Sequence, residues 1–212
     1  LHLSLRRQRQ MCIRDSLVVA ASNLFREQGF NAVGIAKLCK LAEVHKGSFY
    51  HFFPSKKDLL LAVVEISWDE TGFLTSWESQ LPKDPVNAIQ KYFEELFAFH
   101  YADQEASGYV RGSIFVNLTA EINSFDKTIS NALQDLLNRE VIIVGRVLEK
   151  AAELNQVSLN SPINAARILV ASIHGLLIFA KVCNDLSILP NSEGELLRLA
   201  GVIKSDQYSQ KA

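Results

Sequence analysis

Residues 42–60, AEVHKGSFYHFFPSKKDLL, decide the fold. A short basic and aromatic helix lies here between the turn at Ala42, Glu43 and Val44 and the break at Pro54. Ser55 then caps the next helix, with Asp58 three residues on as a short capping box. Gly47 and Ser48 keep one side of the short helix low, so its backbone can approach another surface closely. Lys46, Tyr50 and His51 offer donors to phosphates or base edges. A small, stiff, cationic element of this kind suits a polyanion.

Outward from that stretch, apolar residues recur at helical spacing and no period-2 alternation occurs. The pattern predicts nine helices and no sheet: 14–28, 34–41, 45–52, 55–79, one opened by Asp84 and Pro85, 108–123, 125–155, 162–184 and 195–204. Residues 1–12 show no sustained period and read as an uncertain arm or a remnant. Helices 34–41 and 45–52 with the turn between them fit a helix-turn-helix, and Leu38, Leu41, Val44, Phe49 and Phe52 supply its small core. Phe49 is expected inside and Tyr50 outside. Lys56, at the start of the next helix, adds charge to free N–H groups, an arrangement suited to phosphate.

Charge is divided unevenly. Residues 1–57 hold ten Lys/Arg and three Asp/Glu, although the whole chain of 212 residues has a net charge of −1. A basic head on an acidic body points to nucleic acid at the head alone. Apolar residues make up 48% of the chain, ample for a core. The three cysteines follow no disulfide or zinc spacing, which points to a reducing compartment, and no cofactor or metal site is expected. The apolar run 168–182 is interrupted by His174 and Lys181 and reads as too short to span a bilayer. A cytoplasmic, soluble protein with no membrane partner is the expectation.

The set Ala20, Ala21, Leu24, Phe25, Gly29, Phe30, Ala42, Val44, Lys46, Gly47, Ser48, Phe49, Tyr50, His51, Phe53, Ser55, Lys56 and Leu59 resembles the TetR family of one-component bacterial transcriptional regulators. A looser run, Tyr109, Arg111, Gly112, Ser113, Asn117, Leu118 and Glu121, is similar to one branch of it, in which an Arg-Gly-Cys run precedes Asn-Leu-x-x-Glu. Val33 departs from the family's usual Thr, Glu43 from a frequent turn Gly, His45 from Ser or Pro, and Ser113 from the branch's Cys. Glu43 is expected to carry mild backbone strain.

The resemblance implies an all-α protein in two parts. Residues 13–57 form the helix-turn-helix domain, residues 58–204 a ligand-binding and dimerisation domain, and residues 205–212 a polar tail. The implied activity is that of a repressor released from a palindromic double-stranded DNA operator by a small-molecule effector. Gly34, His45, Lys46, Gly47, Ser48, Tyr50, His51 and Lys56 would meet DNA. A homodimer would set two recognition helices about 34 Å apart. Independently, helix 162–184 is apolar nearly all round and must be covered on both sides. Ile168, Ala171, Ile173, Gly175, Leu176 and Phe179, with Leu196 and Leu199 of the last helix, are the expected seam. For the effector, Trp68, Phe97, His100, Phe115, Asn117 and His174 form the best mixture of apolar wall and polar points. Helix 55–79 would connect pocket to DNA. No nucleophile–base set, phosphate loop or metal motif favours an enzyme. The competing reading is a helical small-molecule-binding or interaction module with a weakened DNA head.

Overall fold

The computed structural model describes residues 2–69, 71–121 and 126–202. Among them it is all-α, with no strand. Eleven helices follow one another: α1 (His2–Gln28), α2 (Ile35–Leu41), α3 (Lys46–Phe52), α4 (Lys56–Ser67), α5 (Phe73–Ser79), α6 (Pro85–Ser107), α7 (Ile114–Glu121), α8 (Lys127–Glu153), α9 (Pro162–Cys183), α10 (Ile188–Asn191) and α11 (Glu193–Leu199). They form two compact units. Leu1–Trp68 joins Ser113–Gln134 in the first, and Asp69–Gly112 joins the chain from Asp135 in the second.

In the first unit, α1 runs back to His2. The residues before Arg14 show no apolar period, yet Leu, Arg, Gln and Met are strong helix formers and extend a helix already nucleated. Leu17, Val18, Ala21, Leu24 and Phe25 are buried on α1, and Leu38, Phe49, Phe53, Leu59, Leu60 and Val63 are buried with them. Leu41, expected in this core, is exposed. Ser55 caps α4 by accepting the Asp58 N–H at 3.3 Å, and its hydroxyl donates to the Asp58 carboxylate at 2.6 Å. The carboxylate thus closes the box on the hydroxyl rather than on a backbone N–H.

The α2–α3 turn is a Schellman motif: Val44 N–H donates to Cys39 O at 2.9 Å and Glu43 N–H to Lys40 O at 3.3 Å. That geometry puts Glu43 at φ +55°, the left-handed region that favours glycine. The residue costs about 1–2 kcal/mol there through its Cβ. Glycine removes that cost but loses more entropy on folding. Glu43→Gly should therefore raise stability by about 0.5–1 kcal/mol, visible as a higher urea midpoint with an unchanged slope. A lower midpoint would contradict the strain.

Several predicted boundaries move. The helix expected over 55–79 ends at Ser67, and α5 begins separately. Gly72 adopts φ +76°, and the Asp69 carboxylate accepts the Thr75 N–H at 2.7 Å, a local bond that competes with helix continuation. Trp68 and Trp77 therefore do not share a helix. The helix expected from Gly108 begins only at Ile114, because Gly108 (φ +83°) and Gly112 (φ +70°) are left-handed. Between the helices expected to end at Asn184 and to begin at Glu195, residues Ile188–Asn191 form α10 despite Pro190. The ends expected at Asn123, Phe125 and Lys204, and the tail 205–212, lie outside the described residues. Asp84 caps α6 by accepting the Asn87 N–H at 3.2 Å, and Pro85 and Pro162 open α6 and α9 where a missing N–H costs nothing.

The apolar run judged too short to span a bilayer belongs to a helix of 22 residues, long and apolar enough to do so by length and composition. A core helix meets the same measure. Ala166, Leu169, Val170, Ile173, Leu177 and Ala180 are buried within the second unit.

Candidate nucleic-acid interface and effector site

Phe49 anchors α3. It is fully buried, packs edge-on against Tyr50 at 5.3 Å between ring centroids, and lies 6.2 Å from Phe53. Because helical residues one apart point in different directions, burying Phe49 turns Tyr50 outward, where it is 55% exposed. His45, the N-cap of α3, and Lys46, Gly47 and His51 are exposed as well. Ser48 is half-buried. A Cβ built on Gly47 or Gly34 meets nothing within 4 Å, so both backbones are open to approach. Gly34 is the N-cap of α2. Exposed Lys37 and Lys40 on α2 extend the cationic surface. Periodicity does not single them out, since exposed lysines occur on any polar helix face. Cys39 is buried beneath them, and burial pushes its thiol pKa up, which makes it a packed and unreactive group.

Lys56 is placed differently from the expectation. Its ammonium donates to Phe30 O at 2.7 Å and Val33 O at 2.9 Å, and sits 4.2 Å over the Phe30 ring. Burial lowers its pKa, opposed by the charge of Glu121. The side chain holds the turn before α2. Val33, which stands at the position of the family's usual Thr, is fully buried. Val33 and Leu38 stand at the N′ and N4 positions of α2, those of a hydrophobic staple.

The six residues proposed for an effector divide between the units. Trp68, Phe115 and Asn117 belong to the first, and Phe97, His100 and His174 to the second. Phe115, Phe97 and His100 are buried, and Trp68, Asn117 and His174 half-buried. A groove in the first unit, lined by Asp15, Ser16, Val19, Asn23, Leu41 and Glu43 among others, contains none of the six.

In the second unit Phe97 ends an aromatic chain. It stacks on Phe93 at 6.3 Å, Phe93 meets Tyr92 at 6.0 Å, and Tyr92 meets Trp77 at 5.6 Å. The Tyr92 hydroxyl hydrogen-bonds the Glu140 carboxylate, which also meets His174 Nε2 at 3.2 Å. Burial, then the Glu140 charge, drives the Tyr92 pKa well up. A buried carboxylate needs such partners. Residue-by-residue reading singles out His174 but misses Glu140 and Tyr92. The available signal is an acid inside the apolar stripe Leu133, Leu136, Ile143, Val144 and Val147 of α8. On α6 Asp103 forms a forked ion pair with Arg111.

Of the expected seam, Ile168 and Phe179 are 54% and 61% exposed, Ala171 and Leu199 are exposed, and Gly175 and Leu176 are half-buried. Ile173 and Leu196 are core residues of the second unit, 4% and 1% exposed, so they cannot form the seam. Ile178 and Val182, at 45% and 79%, lie beside Phe179 and Ile168 on the open face of α9.

A basic recognition helix braced by a three-helix head is the architecture of a helix-turn-helix DNA-binding transcriptional regulator. Residues 17–63 match the family model described as bacterial regulatory proteins, tetR family. The HTH-type transcriptional repressor NemR of Escherichia coli (strain K12) is 26% identical over 185 residues, covering 84% of this chain and 89% of NemR. The crystal structure of reduced E. coli NemR superposes with a TM-score of 0.74 over 87% of this chain and 94% of that one, at 24% identity. A TetR-family regulator from Agrobacterium tumefaciens gives 0.76 at 20% identity, covering 89% and 97%. A SmeT–triclosan complex gives 0.73 at 21%, covering 91% and 94%. Residues 17–63 are thus similar to that family, and the solved structures share the fold, an N-terminal helix-turn-helix followed by a helical body.

Proposed function

We propose that the protein is a homodimeric repressor whose grip on a near-palindromic operator is released by a small molecule. The observation that carries the reading is the outward face of α3: His45, Lys46, Gly47, Tyr50 and His51 exposed together over a buried Phe49. Lys46 and Tyr50 serve phosphates, and Gly47 admits the backbone to the groove. The open apolar face of α9 supports pairing with a second copy, which supplies the second recognition helix. Residues 13–57 act as the DNA-binding part and the helical body after them as the sensing and dimerising part.

In the body, an effector enters beside the aromatic chain ending at Phe97. There it exchanges hydrogen bonds with the buried polar centre of Glu140, His174 and Tyr92. Its free energy reaches DNA only through a difference in affinity for two arrangements of the protein. A coupling of about 1–3 kcal/mol would alter operator affinity roughly 5–150-fold. The branch suggested by the Arg111–Glu121 run has Ser113 at its thiol position. Ser113 is buried and has no thiol chemistry, so this chain does not sense electrophiles through that residue.

The test is operator binding by fluorescence anisotropy, with a duplex selected from a random pool by the unaltered protein. Lys46→Ala should lower affinity for all duplexes and reduce the salt slope by about one, the signature of a lost phosphate contact. Tyr50→Ala should weaken binding with little change in unfolding midpoint, since exposed substitutions usually shift stability by less than about 0.5 kcal/mol. Unchanged binding in both variants would remove α3 as the interface.

A further inference from the structure

The end of α7 grips the turn that precedes the helix-turn-helix. The Asn31 backbone N–H donates to Glu121 Oε2 at 3.0 Å, and Asn31 Nδ2 donates to the Glu121 carbonyl at 3.3 Å, across ninety residues of sequence. Gly29 completes the fit. It sits at φ +80°, and a Cβ there would stand 2.1 Å from Glu121 Oε1, so any side chain would displace the carboxylate. The same turn is also held by the Lys56 ammonium on the Phe30 and Val33 carbonyls. The Glu121 charge favours the protonated form of that ammonium. Neither Glu121 nor Asn31 lies on α3.

We propose that Glu121 is a positioning residue for operator recognition: it clamps the turn 29–33, so that α2 and α3 keep their DNA-binding pose only while the end of α7 holds them. The inference rests on the DNA-binding reading above but assigns it a residue remote from the recognition helix. A carboxylate is poorly suited to a DNA surface, where it would repel phosphate. Here its negative charge is turned onto a backbone N–H and toward an ammonium, which explains its presence beside a basic head. α7 follows directly in the chain on the Gly108–Gly112 segment of the second unit, and its hydrogen bonds at Glu121 reach the turn before α2.

Wild-type protein, Glu121→Ala, Glu121→Gln and Asn31→Ala are compared on the duplex selected by the wild type and on a scrambled duplex, each across a salt series. Glu121→Ala should bind the selected duplex roughly tenfold more weakly. Its salt slope should stay unchanged, because no phosphate contact is lost. Binding to the scrambled duplex should hold or rise, since a negative charge has gone. Amide exchange at Asn31 should accelerate. Glu121→Gln, which keeps the acceptor for the Asn31 N–H, should recover most of the affinity, and Asn31→Ala should weaken selected binding like Glu121→Ala. Wild-type affinity in Glu121→Ala overturns the proposal, and so does a Gln variant as weak as the Ala variant. If Glu121→Ala fails to fold, Gln and Asn31→Ala carry the comparison, with equal and full binding in both as the overturning result. If the wild type selects no duplex at all, the DNA-binding reading itself fails, and the clamp with it.

Discussion

Replacing Phe179 by aspartate should convert the proposed dimer to a monomer and weaken operator binding by about 10²–10⁴-fold, the loss expected when two linked contacts become one. Phe179 is 61% exposed in the isolated chain, in company with Ile168, Ile178 and Val182. Contiguous apolar surface of this kind marks an interface when it is larger than scattered single residues. Gly175, half-buried on α9, has nothing within 4 Å of an added Cβ, which leaves room for a second helix to come close. A carboxylate at Phe179 would have to be desolvated twice, once from each copy, against apolar neighbours. Because the side chain is exposed within one protomer, the monomer should still fold. Sedimentation of the variant at micromolar concentration, with anisotropy on the selected duplex, checks both halves. A dimer that survives Phe179→Asp would place the seam elsewhere.

The second large effect is expected at Phe49→Ala. Truncating a fully buried Phe costs about 3–5 kcal/mol, from lost transfer free energy and the cavity left behind. That is a large share of the roughly 5–15 kcal/mol that holds a domain together. Phe49 is also the side chain that turns Tyr50 outward, so the variant should lose operator binding through a loosened head. Urea unfolding followed by anisotropy separates the causes. Phe49→Ala should lower the midpoint and abolish binding together, whereas Tyr50→Ala should weaken binding with the midpoint nearly in place. A Phe49→Ala variant with an unaltered midpoint would mean that the head is not built around this ring.

The helix-turn-helix was legible because its signals are local. Pro54, the Ser55–Asp58 box, the small pair Gly47 and Ser48, and the spacing of Leu38, Val44 and Phe49 all act over a few residues. The strain at Glu43 was legible through the resemblance, which has a frequent glycine at that turn position, and the φ of +55° bears it out. Boundaries set by a side chain's choice of backbone partner were not. Asp69 taking the Thr75 N–H stops a helix that its apolar period would carry on. The polar centre of Glu140, Tyr92 and His174 also left little trace, because its members come from three helices with no common spacing.

Apolar period, turn residues and charge placement, read in order along the chain, were enough to specify an all-α protein with a basic recognition helix at one end. Those properties follow from interactions between near neighbours. Only the folded chain decided which apolar residues of α9 and α11 face inward, separating Ile173 and Leu196 from Ile168, Phe179 and Leu199. It alone brought Glu121 to Asn31 and turned the Lys56 ammonium onto the Phe30 and Val33 carbonyls. Apolarity states that a side chain seeks cover without saying which surface provides it, and a hydrogen bond between distant segments has no spacing by which to announce itself.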